Sequence, residues 1–135
     1  MDTCTLEKDI KVFCMTAKSF PDHVMEVHQK MHSMVPYTTN RRYFGISYPE
    51  NGTITYKSAA EEINPGEAEK YNCEPFTIKA GKYTCAIIKD FRKDISSIGK
   101  TFQELLSNPD IDPQGYCLEW YLGQNDVQCM VRLKS

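Results

Sequence analysis

One carboxylate stands in the middle of an otherwise apolar segment near the end of the chain. The segment covers residues 115–123, and Glu119 is its acid. Side chains alternate between the two faces of a strand, so Glu119 shares a face with Cys117 and Tyr121. The opposite face is apolar and consists of Leu118, Trp120 and Leu122. A carboxylate that is covered on both sides must be protonated, paired or available to a cation. The alternative is a face open to solvent, as on many antiparallel sheets.

Two segments of the chain show helical periodicity. Pro21 suits the first turn of a helix, and the apolar residues after it predict a helix from about Pro21 to Met34. The second helix is predicted to have Asp94 as its N-cap and to stop at Asn108-Pro109. Its apolar stripe consists of Ile95, Ile98, Phe102 and Leu105. Gly99 inside it predicts a close packing contact that needs the missing side chain.

The other apolar segments are rich in β-branched and aromatic residues and are bounded by turn residues, which predicts strands. They are Lys11–Ala17, Arg42–Tyr48, Thr53–Ala60, Phe76–Lys79, Lys82–Lys89, Tyr116–Leu122 and Val127–Leu133. Turn residues at 50–52 and at 123–126 predict two hairpins, because positive φ angles are cheap in such loops.

The predicted elements form a repeat. The order strand, helix, hairpin occurs once around Pro21 and Asn51 and again around Asp94 and Asn125. We therefore predict one α+β domain over residues 1–135, built from two βαββ units at about residues 8–63 and 73–133, with Ile63 to Asn72 as the connection. An antiparallel sheet with two helices would result. A groove along the pseudo-twofold seam of the two units is where a small molecule would bind.

Composition and charge exclude several classes of protein. Hydrophobic residues make up 41% and charged residues 25% of the 135 residues, which is the composition of a globular domain. No stretch is apolar enough for a membrane helix, and the acidic start of the chain does not match a secretory signal, so a cytoplasmic protein is predicted. The formal net charge is −2 without a basic stripe, which argues against a direct nucleic-acid partner.

Cysteine and histidine spacing gives no metal or cofactor site. The six cysteines contain no Cys-x-x-Cys pair, so we predict mostly small buried thiols, without zinc or a redox dithiol. His28 and His32 have the spacing of two ligands on a helix, but no third ligand is evident. We interpret both as surface histidines. Axial ligation of haem by one of them, known for a related fold, is the alternative.

Taken together, these features resemble a known family. The βαββ duplication, the segment Phe76–Tyr83 and the Glu-x-Tyr of Glu119-Trp120-Tyr121 resemble the gyrase-inhibitor-like small-molecule-binding domain, over about Ile10 to Leu133. The same domain is the effector-binding half of AraC-type and MerR-type multidrug-responsive regulators. Those regulators carry a DNA-binding helix-turn-helix ahead of it, whereas the first strand here is predicted near Ile10. We therefore expect the sensing half alone.

The resemblance implies binding of a hydrophobic, often cationic compound between the repeats. By that resemblance Glu119 is the counter-ion and Tyr121 an aromatic wall, and an aromatic face adds roughly 0.5–2 kcal/mol of cation–π attraction. Tyr83 holds the family's aromatic position at a strand start, and Tyr37 follows the first helix at the expected edge of the groove. Phe13 and Trp120 are further candidate walls, although alternation turns Trp120 away from Glu119.

Two other functions stay open. Some relatives of this fold are thought to hydrolyse reactive small molecules, with the carboxylate polarising a water and the phenol stabilising the leaving group; here these would be Glu119 and Tyr121. The second is an interaction module that modulates a protein partner, as the family name suggests. No catalytic triad is predicted, because no serine lies in a Gly-x-Ser-x-Gly elbow and Cys117 has no evident histidine partner. We expect a binding protein rather than an enzyme.

Overall fold

A computed structural model describes residues 2–134. Its strands are β1 (Asp2–Leu6), β2 (Ile10–Thr16), β3 (Tyr43–Glu50), β4 (Thr53–Glu61), β5 (Glu74–Ile78), β6 (Gly81–Ile88), β7 (Cys117–Leu122) and β8 (Asp126–Arg132). Its α-helices are α1 (Val24–Met34), α2 (Glu67–Lys70) and α3 (Ser96–Leu106). The chain divides into two compact units, which we call unit N (residues 9–78) and unit C (residues 2–8 and 79–134).

Unit N is an antiparallel sheet in the order β3-β4-β2-β5, covered on one face by helices. Phe13 of β2 lies opposite Ala60 of β4, which lies opposite Tyr43 of β3, so the three side chains share one face. Met31 and Val35 pack on that face at the end of α1. Burial of an apolar side chain of this size contributes about 1.5–3 kcal/mol, and this contact fixes α1 on the sheet.

Unit C has the same plan with the order β1-β6-β8-β7. Phe102 and Leu105 of α3 pack with Val127, Cys129 and Val131 of β8. Phe91, in a 3-10 turn after β6, joins this cluster. Phe102, Leu105 and the partly buried Ile98 of the predicted stripe therefore hold α3 on the sheet, whereas Ile95 precedes the helix and is 55% exposed.

The predicted α+β class with antiparallel strands is confirmed, and each unit contains a βαββ sequence: β2-α1-β3-β4 in unit N and β6-α3-β7-β8 in unit C. Each predicted strand matches an observed one to within two residues at either end. Among the helices of residues 2–134, none is long and apolar enough to cross a bilayer.

Several local predictions are wrong. The first strand is not near Ile10, because Asp2–Leu6 forms a strand that pairs with β6. The segment predicted as the connection lies between β4 and β5 and contains the short helix α2, which was not predicted. Asp94 does not cap α3: the helix follows Ile95, and the carboxylate of Asp94 accepts a hydrogen bond from the Ser96 hydroxyl instead of a backbone N–H. Apart from the chain neighbours of Gly99 and the nearby backbone of α3, no described residue comes within 4 Å of a methyl group placed on Gly99, so no close packing contact requires that glycine.

The start of the first helix also differs from the prediction. Residues 20–23 form hydrogen-bonded turns, in which His23 N–H donates to the carbonyl of Ser19 and Val24 N–H to that of Pro21. The α-helix therefore begins at Val24 rather than at Pro21.

Candidate functional site

Glu119 occupies the middle of β7 and is buried. It pairs with Cys129 of β8, on the sheet face that α3 covers, and its side chain is 9% exposed. The Tyr121 hydroxyl donates a hydrogen bond of 2.6 Å to Glu119 Oε1. Two residues apart on one strand, these side chains point to the same face, which is why they meet. Of the two alternatives that the sequence left open, the structure has the covered acid rather than the solvated one.

The groups around Glu119 in unit C include thiols and an aromatic pair. Cys129 is fully buried, and burial, followed by the negative charge of Glu119 and then Cys117, raises the pKa of the Cys129 thiol to about 12. The Tyr121 ring lies 5.7 Å from that of Phe91, with a tilt of 50°. These neighbours within unit C are polarisable, and burial places the acid in a setting of low dielectric, where its electrostatic interactions are stronger than in water.

Two of the proposed aromatic walls lie on the opposite face of the unit C sheet. Tyr83 is paired with Arg132, on the same face as Leu118, and none of its surface is exposed. Its hydroxyl donates to the carbonyl of Lys79 at 2.7 Å and lies 3.1 Å from the Tyr116 hydroxyl. Burial is the main cause that raises the pKa of Tyr83. Trp120 is half-buried and, as alternation predicts, faces away from Glu119.

The remaining two candidate walls belong to unit N. Phe13 is fully buried, stacks on Tyr71 at 5.4 Å, and has the Arg41 guanidinium 5.6 Å from its ring centroid. Tyr37 follows α1, stacks on Tyr43 at 5.3 Å and is 37% exposed. Within unit C the structure thus brings together Glu119 and Tyr121. In unit N, Phe13 is inaccessible to solvent and Tyr37 is partly accessible.

Comparison with known proteins shows the fold alone. The sequence matches no protein-family model and no curated protein. Among solved structures, SAV2435 bound to tetraphenylphosphonium is similar with a TM-score of 0.69 and 11% identity, over 99% of this chain and 93% of that chain.

Two other similar structures carry different descriptions. A putative transcription regulation protein from Staphylococcus aureus MU50 has a TM-score of 0.58 and 11% identity, over 99% of this chain and 97% of that one. A hydrolase from Listeria innocua has a TM-score of 0.57 and 9% identity, over 98% and 90%. At such low identity the shared architecture is established, whereas a shared activity is not.

One polar cluster was missed by reasoning from the sequence, which placed His28 on the surface of its helix. His28 is half-buried: its Nε2 lies 2.6 Å from the Tyr56 hydroxyl, and its Nδ1 lies 2.7 Å from Ser58 Oγ on the neighbouring strand. The signal was its spacing, since His28 precedes the buried Met31 and Val35 by three and seven positions and so lies on the apolar face of α1. The ring of His32 lies 5.0 Å from that of Tyr43.

These histidines lie in hydrogen-bonded and aromatic contacts. Over residues 2–134, no three or more His, Cys, Asp or Glu side chains are grouped so that they could hold a metal ion. Within residues 2–134, His28 and His32 are therefore not accompanied by a third potential metal ligand of these types.

Proposed function

We propose that this protein binds an apolar organic cation, with the Glu119 carboxylate as counter-charge and the Tyr121 ring as one wall. The observation that carries the proposal is the buried acid in β7, which accepts a hydrogen bond from the Tyr121 phenol and lies beside the Cys129 thiol. A delocalised cation needs no directional hydrogen bond, so flat rings and one charge suffice to bind it. The binding of tetraphenylphosphonium by SAV2435, which has this fold, supports the choice of ligand class.

The biological role that we propose is that of a sensor or a sequestering protein related to effector domains of transcription regulators. The similarity to a putative regulation protein supports this role. Tyr37 is retained as a candidate wall because it is 37% exposed, whereas Trp120 is set aside because it lies on the opposite face of the sheet from Glu119. Tyr83 and Phe13, which are fully buried, would take part only through a rearrangement of their surroundings.

The test uses tetraphenylphosphonium as the probe. A ligand that binds only the folded state stabilises it by about 2.7 kcal/mol at a hundred times its Kd, so the melting temperature should rise with concentration. Glu119→Gln keeps the size of the side chain and removes its charge, and we expect it to abolish the rise. Glu104→Gln, on the exposed side of α3, is the matched control and should behave like the wild type.

Tetraphenylborate separates the effect of charge from that of shape. It has the form of tetraphenylphosphonium with the opposite charge, so a site built around a carboxylate should reject it. Equal stabilisation by both ions, or an unchanged response in the Glu119→Gln protein, would remove Glu119 from the binding site.

A hydrolase is the second candidate, because the phenol and the carboxylate are already 2.6 Å apart and a hydrolase has this fold. The carboxylate would polarise a water molecule, and the Tyr121 hydroxyl would stabilise the leaving group. The reading predicts turnover of an electrophilic substrate such as a p-nitrophenyl ester. Glu119→Gln and Tyr121→Phe should each stop turnover while the substrate still binds. Turnover that both variants retain would exclude this site as the catalyst.

A further inference from the structure

Two cysteines that are far apart in sequence are neighbours in unit C. Strands β1 and β6 are antiparallel, with Cys4 opposite Tyr83 and Asp2 opposite Cys85, so Cys4 and Cys85 are diagonal neighbours on one face. The two thiols are close enough for Cys85 to contribute to the raised pKa of Cys4. Gln128 Nε2, from β8, donates to Cys4 Sγ at 3.6 Å. This face is the one opposite to Glu119, so the cluster is separate from the site described above.

The diagonal placement does not favour a disulfide. The Cα atoms of diagonal neighbours in an antiparallel sheet lie about 7–8 Å apart, whereas the Cα atoms joined by a disulfide usually lie about 4.4–6.8 Å apart. A metal ion between the sulfurs adds length, because each metal–sulfur bond is about 2.3 Å long. The same geometry that separates the backbones too far for a disulfide thus accommodates a bridging ion.

The ligand set indicates which ion fits. Soft thiolate ligands select Cu(I), which forms stable complexes with only two of them, whereas zinc in structural sites takes four ligands. No third His, Cys, Asp or Glu joins the two thiols to make a larger cluster within residues 2–134. We propose that Cys4 and Cys85 form a two-thiolate site for a soft monovalent metal ion of the copper(I) type.

Access and protonation fit such a site. Cys4 is half-buried on β1, the strand at the sheet edge, so an ion can reach it from solvent, whereas Cys85 is 4% exposed and shielded. A cysteine thiol has an ordinary pKa of about 8.5 and is protonated at neutral pH, so binding of a metal ion by thiolates must release protons. Loading by Cu(I) forms two Cu–S bonds and releases one proton from each thiol, without oxidation or reduction. The affinity should therefore rise with pH.

The test is an anaerobic titration of the reduced, full-length protein with Cu(I) in competition with a coloured copper(I) chelator, with stoichiometry read by native mass spectrometry. We expect one copper ion per chain and a release of two protons. Cys4→Ser and Cys85→Ala should each weaken binding at least about 100-fold, because one thiolate cannot hold the ion alone. Cys73→Ser, which changes another half-buried cysteine in unit N, is the matched control and should bind as the wild type does.

Three outcomes would overturn the proposal. They are copper that stays bound in the Cys4→Ser protein, an equal loss in Cys73→Ser, and a Cys4–Cys85 disulfide that forms readily when the folded protein is treated with hydrogen peroxide. Melting curves recorded without copper show whether each variant is folded at the temperature of the titration. Cys4→Ser, at the half-buried position, is the variant on which the proposal depends if Cys85→Ala does not fold.

Discussion

Each unit buries one glutamate, and the two are held in different ways. Glu67, at the start of α2 in unit N, is 4% exposed and receives hydrogen bonds from Arg41 Nη1 and Nη2 at 3.1 and 2.9 Å. The backbone N–H groups of Ile63 and Asn64 donate to the same carboxylate at 2.6 and 2.9 Å. Glu119, in unit C, lies against the Tyr121 hydroxyl and beside neutral thiols.

The partners decide what each acid can do. The Arg41 guanidinium, helped by the two backbone N–H groups, lowers the pKa of Glu67 to about 2 against the opposing effect of burial. A carboxylate stabilised in its charged form by a cation and two amides contributes to folding, and it closes the loop that leads into α2. The aromatic and thiol setting of Glu119 is instead the kind of surface that an organic cation fits. Glu67 is thus held as a structural acid, and Glu119 is the acid that we propose to serve a ligand.

The largest effect that we expect comes from removing the cation of unit N. Arg41→Met should lower the free energy of unfolding by about 3–5 kcal/mol, because it leaves the buried charge of Glu67 without its guanidinium partner. Urea unfolding at neutral pH measures the change.

Arg42→Met is the matched control for Arg41→Met. Arg42 forms an ion pair with Glu61 at 2.7 Å, but the arginine side chain is 40% exposed, so its loss should cost less than about 1 kcal/mol. Equal losses in the two variants would show that burial does not distinguish these pairs, and the comparison of the two glutamates would lose its basis.

The next effect is the pH dependence that Glu67 gives to stability. Its pKa is lowered on folding from an ordinary value of 4.5 to about 2, so its contribution is complete above pH 4.5 and is lost as the pH falls towards 2. A shift of this size corresponds to roughly 3 kcal/mol. Urea unfolding at a series of pH values should show a steep loss in this window for the wild type and a shallower one for Glu67→Gln.

Glu26→Gln is the control for the pH series. The side chain of Glu26 is 41% exposed and is paired with Lys30 at 3.3 Å, so its loss should leave the slope nearly unchanged. A wild-type slope no steeper than that of Glu67→Gln would mean that another group is responsible for the acid sensitivity.

The fold was predictable from the sequence where periodicity is strong. The stripe from Ile95 to Leu105 predicts α3, and the turn at Asn51-Gly52 predicts the β3–β4 hairpin, both as observed. Strand β1 was missed because Asp2-Thr3-Cys4-Thr5-Leu6 is short and mostly polar, and its pairing with β6 is a long-range contact without a local signal. Helix α2 was missed because a single turn has no periodicity, and because the Arg41 side chain that holds Glu67 lies 26 positions away in the sequence.

The site was predictable only in part, for a similar reason. Alternation along β7 placed Glu119 and Tyr121 on one face, and the hydrogen bond between them follows from that rule. The burial of Glu119 depends on α3 and β8, which alternation within one strand cannot show. The proximity of Cys4 and Cys85 depends on the register of β1 and β6, which the spacing of the cysteines in the sequence does not indicate. The cluster around His28 depends on how α1 packs on the sheet, and helical spacing indicates only that His28 lies on the packed face.

The smallest effect that we expect belongs to unit C. Tyr121→Phe keeps the ring that packs near Phe91 and removes the donor to Glu119, so the free energy of unfolding should fall by about 1–2 kcal/mol, as for one buried hydrogen bond. Tyr37→Phe removes a hydroxyl from a more exposed ring and should change stability by less than about 0.5 kcal/mol. If the two variants unfold at the same urea concentration, the phenol does not stabilise the acid. A loss as large as that of Arg41→Met would instead make Glu119 a structural acid like Glu67, because a carboxylate so dependent on one partner belongs to the fold rather than to a ligand.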